Sequence, residues 1–219
     1  EIPGGELAVV PELIRGHPSP YGFDLCATAI GTVRLDDIVS GKRIAPSDAL
    51  IGVPSSGLHS NGYTLARRAL ASLDLNDKPA ELGGPSVADA LLEPTVIYVR
   101  AVLDLLRSDV PVHGLAHITG GGVTNLMRLG GGYRIEDPLP VPPIFGLVAR
   151  LGDVSPEEMW EVFNMGCGFV AIVPEPHADE AAAILTAHHP GARQIGTTTD
   201  RPGRVEVPSL GLAYPARSG

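Results

Sequence analysis

Twice in this chain a strand-like apolar run passes through glycines directly into a helix-like run, and that junction constrains the fold more than any other feature. The first run is Ala49 to Pro54 (ALIGVP), a short buried-strand pattern that stops at Ser55-Ser56-Gly57. A helix follows, with Tyr63, Ala66, Leu70 and Leu73 on its apolar face and Ser60 or Asn61 as its cap. The second run, Val112 to Ile118, ends at Thr119-Gly120-Gly121-Gly122 before a short helix from Val123 to Leu129. Such alternation predicts an α/β (α+β) fold, a mixed sheet flanked by helices.

Further along the chain the pattern continues. Tyr21 to Leu35 reads as a strand, residues 76–93 as mostly loop, and Pro94 as the opening of a helix through Leu106 with Val99, Val102, Leu103 and Leu106 as its apolar stripe. Ser155-Pro156-Glu157-Glu158 combines a serine N-cap, proline at the first helical position and a capping-box glutamate, which predicts a helix through Phe163. Gly168 to Val173 reads as a strand and Ala178 to Ala187 as a helix. Arg193 to Val207 reads as two short strands around a turn at Pro202-Gly203.

At 219 residues, 44% hydrophobic and 19% charged, the chain can bury a core as one large domain, or as one domain plus part of a neighbour. Sixteen Lys and Arg against 25 Asp and Glu give a formal charge of −9, which argues against nucleic acid as a partner, because that affinity comes from many basic contacts to phosphate. With Lys42 and Lys78 as its only lysines, a phosphate ligand must be held by arginine, backbone N–H groups or a metal. No apolar run approaches the roughly 20 residues that span a bilayer. Cys26 and Cys167 match no disulfide or metal spacing, so a reducing cytoplasm is the expected location. The chain begins at Glu1 and leads straight into Gly-Gly, and is expected to be a piece of something longer.

Three segments can carry chemistry. In the first, residues 55–63 (SSGLHSNGY), Gly57 lets the backbone curl until N–H groups converge, and the helix start adds partial positive charge. Ser55, Ser56, Ser60 and Asn61 supply further donors to an anion. His59 would stand beside that anion, able to donate a hydrogen bond or move a proton near neutral pH. The same residues also suit a turn and a helix cap. In the second, HITGGG, Thr119, Gly120, Gly121 and Gly122 permit a close backbone approach of the kind phosphate needs, or tight packing of a helix on a strand. It is neither a lysine-bearing phosphate loop nor a dinucleotide fingerprint. His113 and His117 fall on a strand with no third ligand, so they do not predict a metal. In the third, EEMWEVFNMGCGF, Asn164 either faces a site or closes its helix, Met159, Trp160, Phe163 and Met165 read as core, and Cys167 as inert. His17, His177, His188 and His189 read as solvated.

These segments, in this order, resemble the phosphoribosylformylglycinamidine cyclo-ligases, also called aminoimidazole ribonucleotide synthetases. The resemblance is carried by GGE at residues 4–6, YGFDLCATAIGTV, LIGVPSSGLHSNGY, LLEPTVIYV, HGLAHITGGG, VPPIF and EEMWEVFNMGCGF. It implies that residues 1–35 are the tail of an N-terminal ATP-binding domain and residues 36–219 a C-terminal synthetase domain. It further implies a homodimer when full-length, with ATP and Mg2+ bound mostly by the absent part and Glu6 as a metal ligand. The implied reaction is ATP-dependent ring closure of formylglycinamidine ribonucleotide in purine synthesis. His59 is then the catalytic contact to substrate, and Ser55, Ser56, Gly57, Ser60, Asn61, Thr119, Gly120, Gly121, Gly122 and Asn164 bind substrate or phosphate.

The family pattern GGETAEMPG stands here as GGELAVVPEL, with Leu7 and Val9 replacing threonine and glutamate, and Val96 stands where arginine is usual. The aspartate-rich ATP motifs are missing, so this polypeptide alone is not expected to turn over ATP. The alternative is a non-catalytic nucleotide-binding paralogue or subunit. A selenophosphate synthetase or thiamine-phosphate kinase is a more distant reading, disfavoured by HSNGY.

Overall fold

The computed structural model of the protein describes residues 2–10, 12 and 25–215. The chain divides into two units, Glu1–Ile38 and Val39–Gly219. In the first unit the described backbone is irregular apart from a 3-10 turn at Leu35–Asp37. The strand expected over residues 21–35 is therefore absent from 25–34, while 21–24 and His17 lie outside the described residues. A strand satisfies its N–H and C=O groups only through a partner, and no described segment pairs with this one.

The second unit is built on a seven-stranded sheet: β1 (Ala49–Pro54), β2 (Gly114–His117), β3 (Gly132–Ile135), β4 (Cys167–Val173), β5 (Arg193–Thr199), β6 (Arg204–Val207) and β7 (Leu212–Pro215). Their spatial order is β2-β4-β1-β5-β3-β6-β7, antiparallel throughout except for β3 beside β6. The helices are α1 (Tyr63–Ala69), α2 (Val87–Leu92), α3 (Val99–Arg107), α4 (Pro143–Gly152), α5 (Pro156–Val162) and α6 (Ala178–His188). Period-two alternation sorts β1 onto two cores. Ala49, Ile51 and Val53 face one side with Ala101, Leu105 and Leu185, while Leu50 faces the other with Phe145, Met159 and Phe163. Both faces are covered, so β1 and β4 read as continuous apolar runs.

Several expectations need correction. The N-cap of α1 is Gly62 in a left-handed conformation, not Ser60 or Asn61, whose side chains make no capping bond. Residues 76–93 are not mostly loop: Ser86 and Asp89 form a reciprocal capping box that starts α2. Nor does α3 begin at Pro94. Residues 94–98 are spent on tertiary bonds, with the Ser56 hydroxyl donating to the Pro94 carbonyl at 2.7 Å and the Tyr98 hydroxyl to the Pro54 carbonyl at 2.8 Å. The buried face of α3 is Ala101 and Leu105, with Val102 of the expected stripe packed against the same core, whereas Val99, Leu103 and Leu106 are exposed. The strands β5 and β6 do not pair as a hairpin, because β3 lies between them. The Ser155 cap, by contrast, forms as expected, accepting the Glu158 N–H at 3.2 Å.

Candidate functional site

Strand β4 lies between β1 and β2 and runs antiparallel to both, with Pro54 opposite Cys167 and His117 opposite Phe169. That register brings the end of β1, the end of β2 and the start of β4 to the same end of their strands. The three segments singled out by sequence, residues 55–63, 117–122 and 157–169, therefore converge, the last through its end at 164–168. A Cβ at Gly120 would stand 3.2 Å from Oδ1 of Asn61, and one at Gly122 would overlap the Trp160 carbonyl oxygen. At Gly122 only glycine lets the second bend lie this close to the last turn of α5, while at Gly120 the first bend is in tight contact through the end of the Asn61 side chain.

The first bend is braced from below by Asn164, which is 3% exposed. Its Oδ1 accepts the Ser55 hydroxyl at 2.7 Å and the Gly166 N–H at 3.0 Å, and its Nδ2 donates to the Gly57 carbonyl at 2.8 Å. The second bend has a matching brace that sequence reasoning missed. Asn125, also 3% exposed, accepts the Thr119 N–H at 2.7 Å and the Thr119 hydroxyl at 3.1 Å. Its signal was a polar residue between Val123 and Leu126, both of which are buried. Ser60 reaches outward to Thr95 at 3.1 Å between hydroxyl oxygens.

Part of the amide cradle is consumed internally: Ser55 N–H donates to Gly166, Ser56 N–H to His59, and Gly122 N–H to Thr119. The amides of Gly57, Leu58, Gly120 and Gly121 donate to no group among the described residues. The bends thus keep free N–H groups on both sides of the junction. Helix dipoles contribute less than expected, since α1 has seven residues and the second bend leads into a 3-10 helix, Gly122–Leu129.

His59 sits inside the first bend rather than on it. The ring belongs to a residue 5% exposed, with φ at 59° in the left-handed region. Its Nε2 accepts the Ser56 N–H at 3.2 Å, so the neutral ring carries its proton on Nδ1, which is buried without a partner. Burial holds its pKa at about 4, with His117 adding to the effect. At that value the ring is uncharged near neutral pH, with its Nδ1–H as the remaining donor. A left-handed backbone and an orphaned polar atom each cost stability, and such costs gather where function requires a fixed shape.

Around Tyr98 the ring centroids of His59, His117, Phe169 and His189 lie 6.2, 5.9, 5.5 and 5.2 Å away. His189 is therefore half-buried, not solvated, and burial lowers its pKa, as it does that of His117. His113 pairs with Asp48 at 2.8 Å. Burial pushes the Cys167 thiol up to about 12, in keeping with an inert residue. Glu6 is exposed, and among the described residues no group of three His, Cys, Asp or Glu could hold a metal. The described residues do not fit the implied Mg2+ ion.

Residues 45–208 match a family described as AIR synthase related protein, C-terminal domain. The chain is 50% identical over 215 residues to the phosphoribosylformylglycinamidine cyclo-ligase of Thermococcus gammatolerans, covering 96% of this chain and 60% of that protein. It is 48% identical over 190 residues to the protein of that name from Methanopyrus kandleri, covering 85% and 54%. The chain spans a little over half the length of these curated relatives. Among solved structures, the hydrogenase maturation protein HypE in complex with ATP aligns over 84% of this chain and 54% of its own, with a TM-score of 0.56 and 20% identity, a likeness of fold.

Proposed function

The chain belongs to the AIR synthase related family, whose C-terminal domain it carries, and we propose that this domain is the ribonucleotide-gripping part of an ATP-dependent cyclo-ligase. The reaction in this reading closes an imidazole ring. ATP phosphorylates the formyl amide oxygen of formylglycinamidine ribonucleotide, the neighbouring amine attacks that carbon, and the phosphate departs to give aminoimidazole ribonucleotide beside ADP. Phosphoryl transfer of this kind is catalysed mainly by positioning and electrostatics, which fixed backbone amides supply.

One observation carries the reading: the Asn61 side chain adjoins Gly120, so the two bends meet, and the amides of Gly57, Leu58, Gly120 and Gly121 within them have no acceptor among the described residues. Asn61 makes no internal side-chain hydrogen bond among the described residues and is the natural donor to a phosphate or ribose oxygen. Ser56, Ser60 and Thr119 complete the rim. His59 acts from within, holding Ser56 in place. No step is assigned to a metal. The enzyme works in the cytoplasm as a homodimer in this reading, and no helix among the described residues is long and apolar enough to cross a membrane.

A second reading, a binding subunit without ATP chemistry, is favoured by Leu7 and Val9, both exposed and apolar where the resembled family has threonine and glutamate. The test mixes this chain with ATP, Mg2+, formylglycinamidine ribonucleotide and the N-terminal part of the Thermococcus gammatolerans relative. ADP release coupled to ring closure supports the enzyme. Ribonucleotide binding with no ADP release supports the binding subunit.

A further inference from the structure

Beside the first bend the surface opens into a groove of about 210 Å3 walled by Ser56, Leu82, Ala90, Glu93, Pro143 and Ile144. Its lining is mostly apolar, and its volume is below the several hundred Å3 of a site that encloses a whole drug-sized ligand. It suits the head group of a nucleotide, not the whole molecule. Ser56 belongs to both the groove and the first bend, so one ligand can occupy the two together.

Two carboxylates lie along the groove, and they differ. Asp89 is already engaged, its Oδ2 accepting the Ser86 N–H at 2.9 Å and the Ser86 hydroxyl at 2.7 Å, with Lys78 nearby lowering its pKa further. Glu93 is exposed and has no hydrogen-bond or ion-pair partner among the described residues. The opposite wall begins α4, where Pro142 and Pro143 lack N–H groups, so this helix start presents fewer of the donors that would repel a cation. With Asp89 engaged, Glu93 is the unpaired carboxylate of an otherwise mostly apolar groove, a setting that suits a flat cationic group able to hydrogen-bond to it along one edge.

We propose that this groove is the subsite for the amidine end of the ribonucleotide, with Glu93 as the carboxylate that pairs with it. The proposal rests on the reading in which the bends grip the phosphate end. It adds a source of selectivity, because a carboxylate pairs with the charged amidine and not with the neutral amide that otherwise has the same shape.

Calorimetry on the whole chain compares two probes, formylglycinamidine ribonucleotide and formylglycinamide ribonucleotide, which differ in that one group. The amidine is expected to bind at least tenfold more tightly to the wild type, and Glu93→Gln to bring the two within about twofold while leaving amide affinity unchanged. Equal binding by the wild type, a preference for the amide, or a preference that survives Glu93→Gln overturns the proposal while leaving the phosphate bends intact. If neither probe binds, the phosphate reading falls and this subsite falls with it.

Discussion

The side-chain oxygen of Asn61 lies 3.2 Å from where a Cβ on Gly120 would project, so one methyl group reaches into the seam between the two bends. Gly120 does not have a positive φ, and the group it would meet is the end of a side chain. Gly120→Ala is therefore expected to change the melting temperature by no more than about 4 °C, the equivalent of roughly 1 kcal/mol, while weakening ribonucleotide binding about tenfold. Thermal melts and calorimetry on the same preparation check both halves.

Two residues on, the same change is expected to act on folding. At Gly122 the backbone has φ of 50°, and a Cβ would overlap the Trp160 carbonyl, which cannot swing away. Gly122→Ala should cost about 3 kcal/mol or more in urea unfolding, or leave the chain insoluble.

Asn164→Ala removes three hydrogen bonds and leaves the Gly57 carbonyl without its partner inside the fold. A loss of about 2 to 4 kcal/mol is expected, read as a lower urea midpoint with an unchanged slope.

Acid stability should depend on His59. Its folded pKa is about 4 against the ordinary value of 6.5, so between those values the unfolded chain binds more protons. Its contribution is full above pH 6.5 and is lost as the pH falls toward 4, on the order of 3 kcal/mol in all. His59→Gln should flatten the dependence of the urea midpoint across this window, and an unchanged slope would show that His59 is not the group responsible.

Local signals in the sequence were sufficient where the structure is local. Ser155 and Pro156 start their helix as expected, and β1 occupies the six residues from Ala49 to Pro54. The failures occur where distant residues decide. Nothing near Arg193 shows that β3 will separate β5 from β6, and the apolar excess of α3 hides which side meets α6. The site divides the same way: its glycines mark the bends, but the brace from Asn164 to Gly57 joins residues 107 positions apart. Burial of His59 beneath Tyr98 and Gly168 is likewise a property of packing, and without it the ring reads as an ordinary neutral-pH titrating group.

The most direct measurement is titration of the purified chain with formylglycinamidine ribonucleotide, with amide resonances of Gly57, Leu58, Gly120 and Gly121 followed by NMR. Saturable shifts in both bends, with Gly120→Ala moving saturation of the remaining resonances together to about tenfold higher ligand, are expected if the bends grip one sugar-phosphate. Shifts confined to one bend, or no change at millimolar ligand, would contradict it.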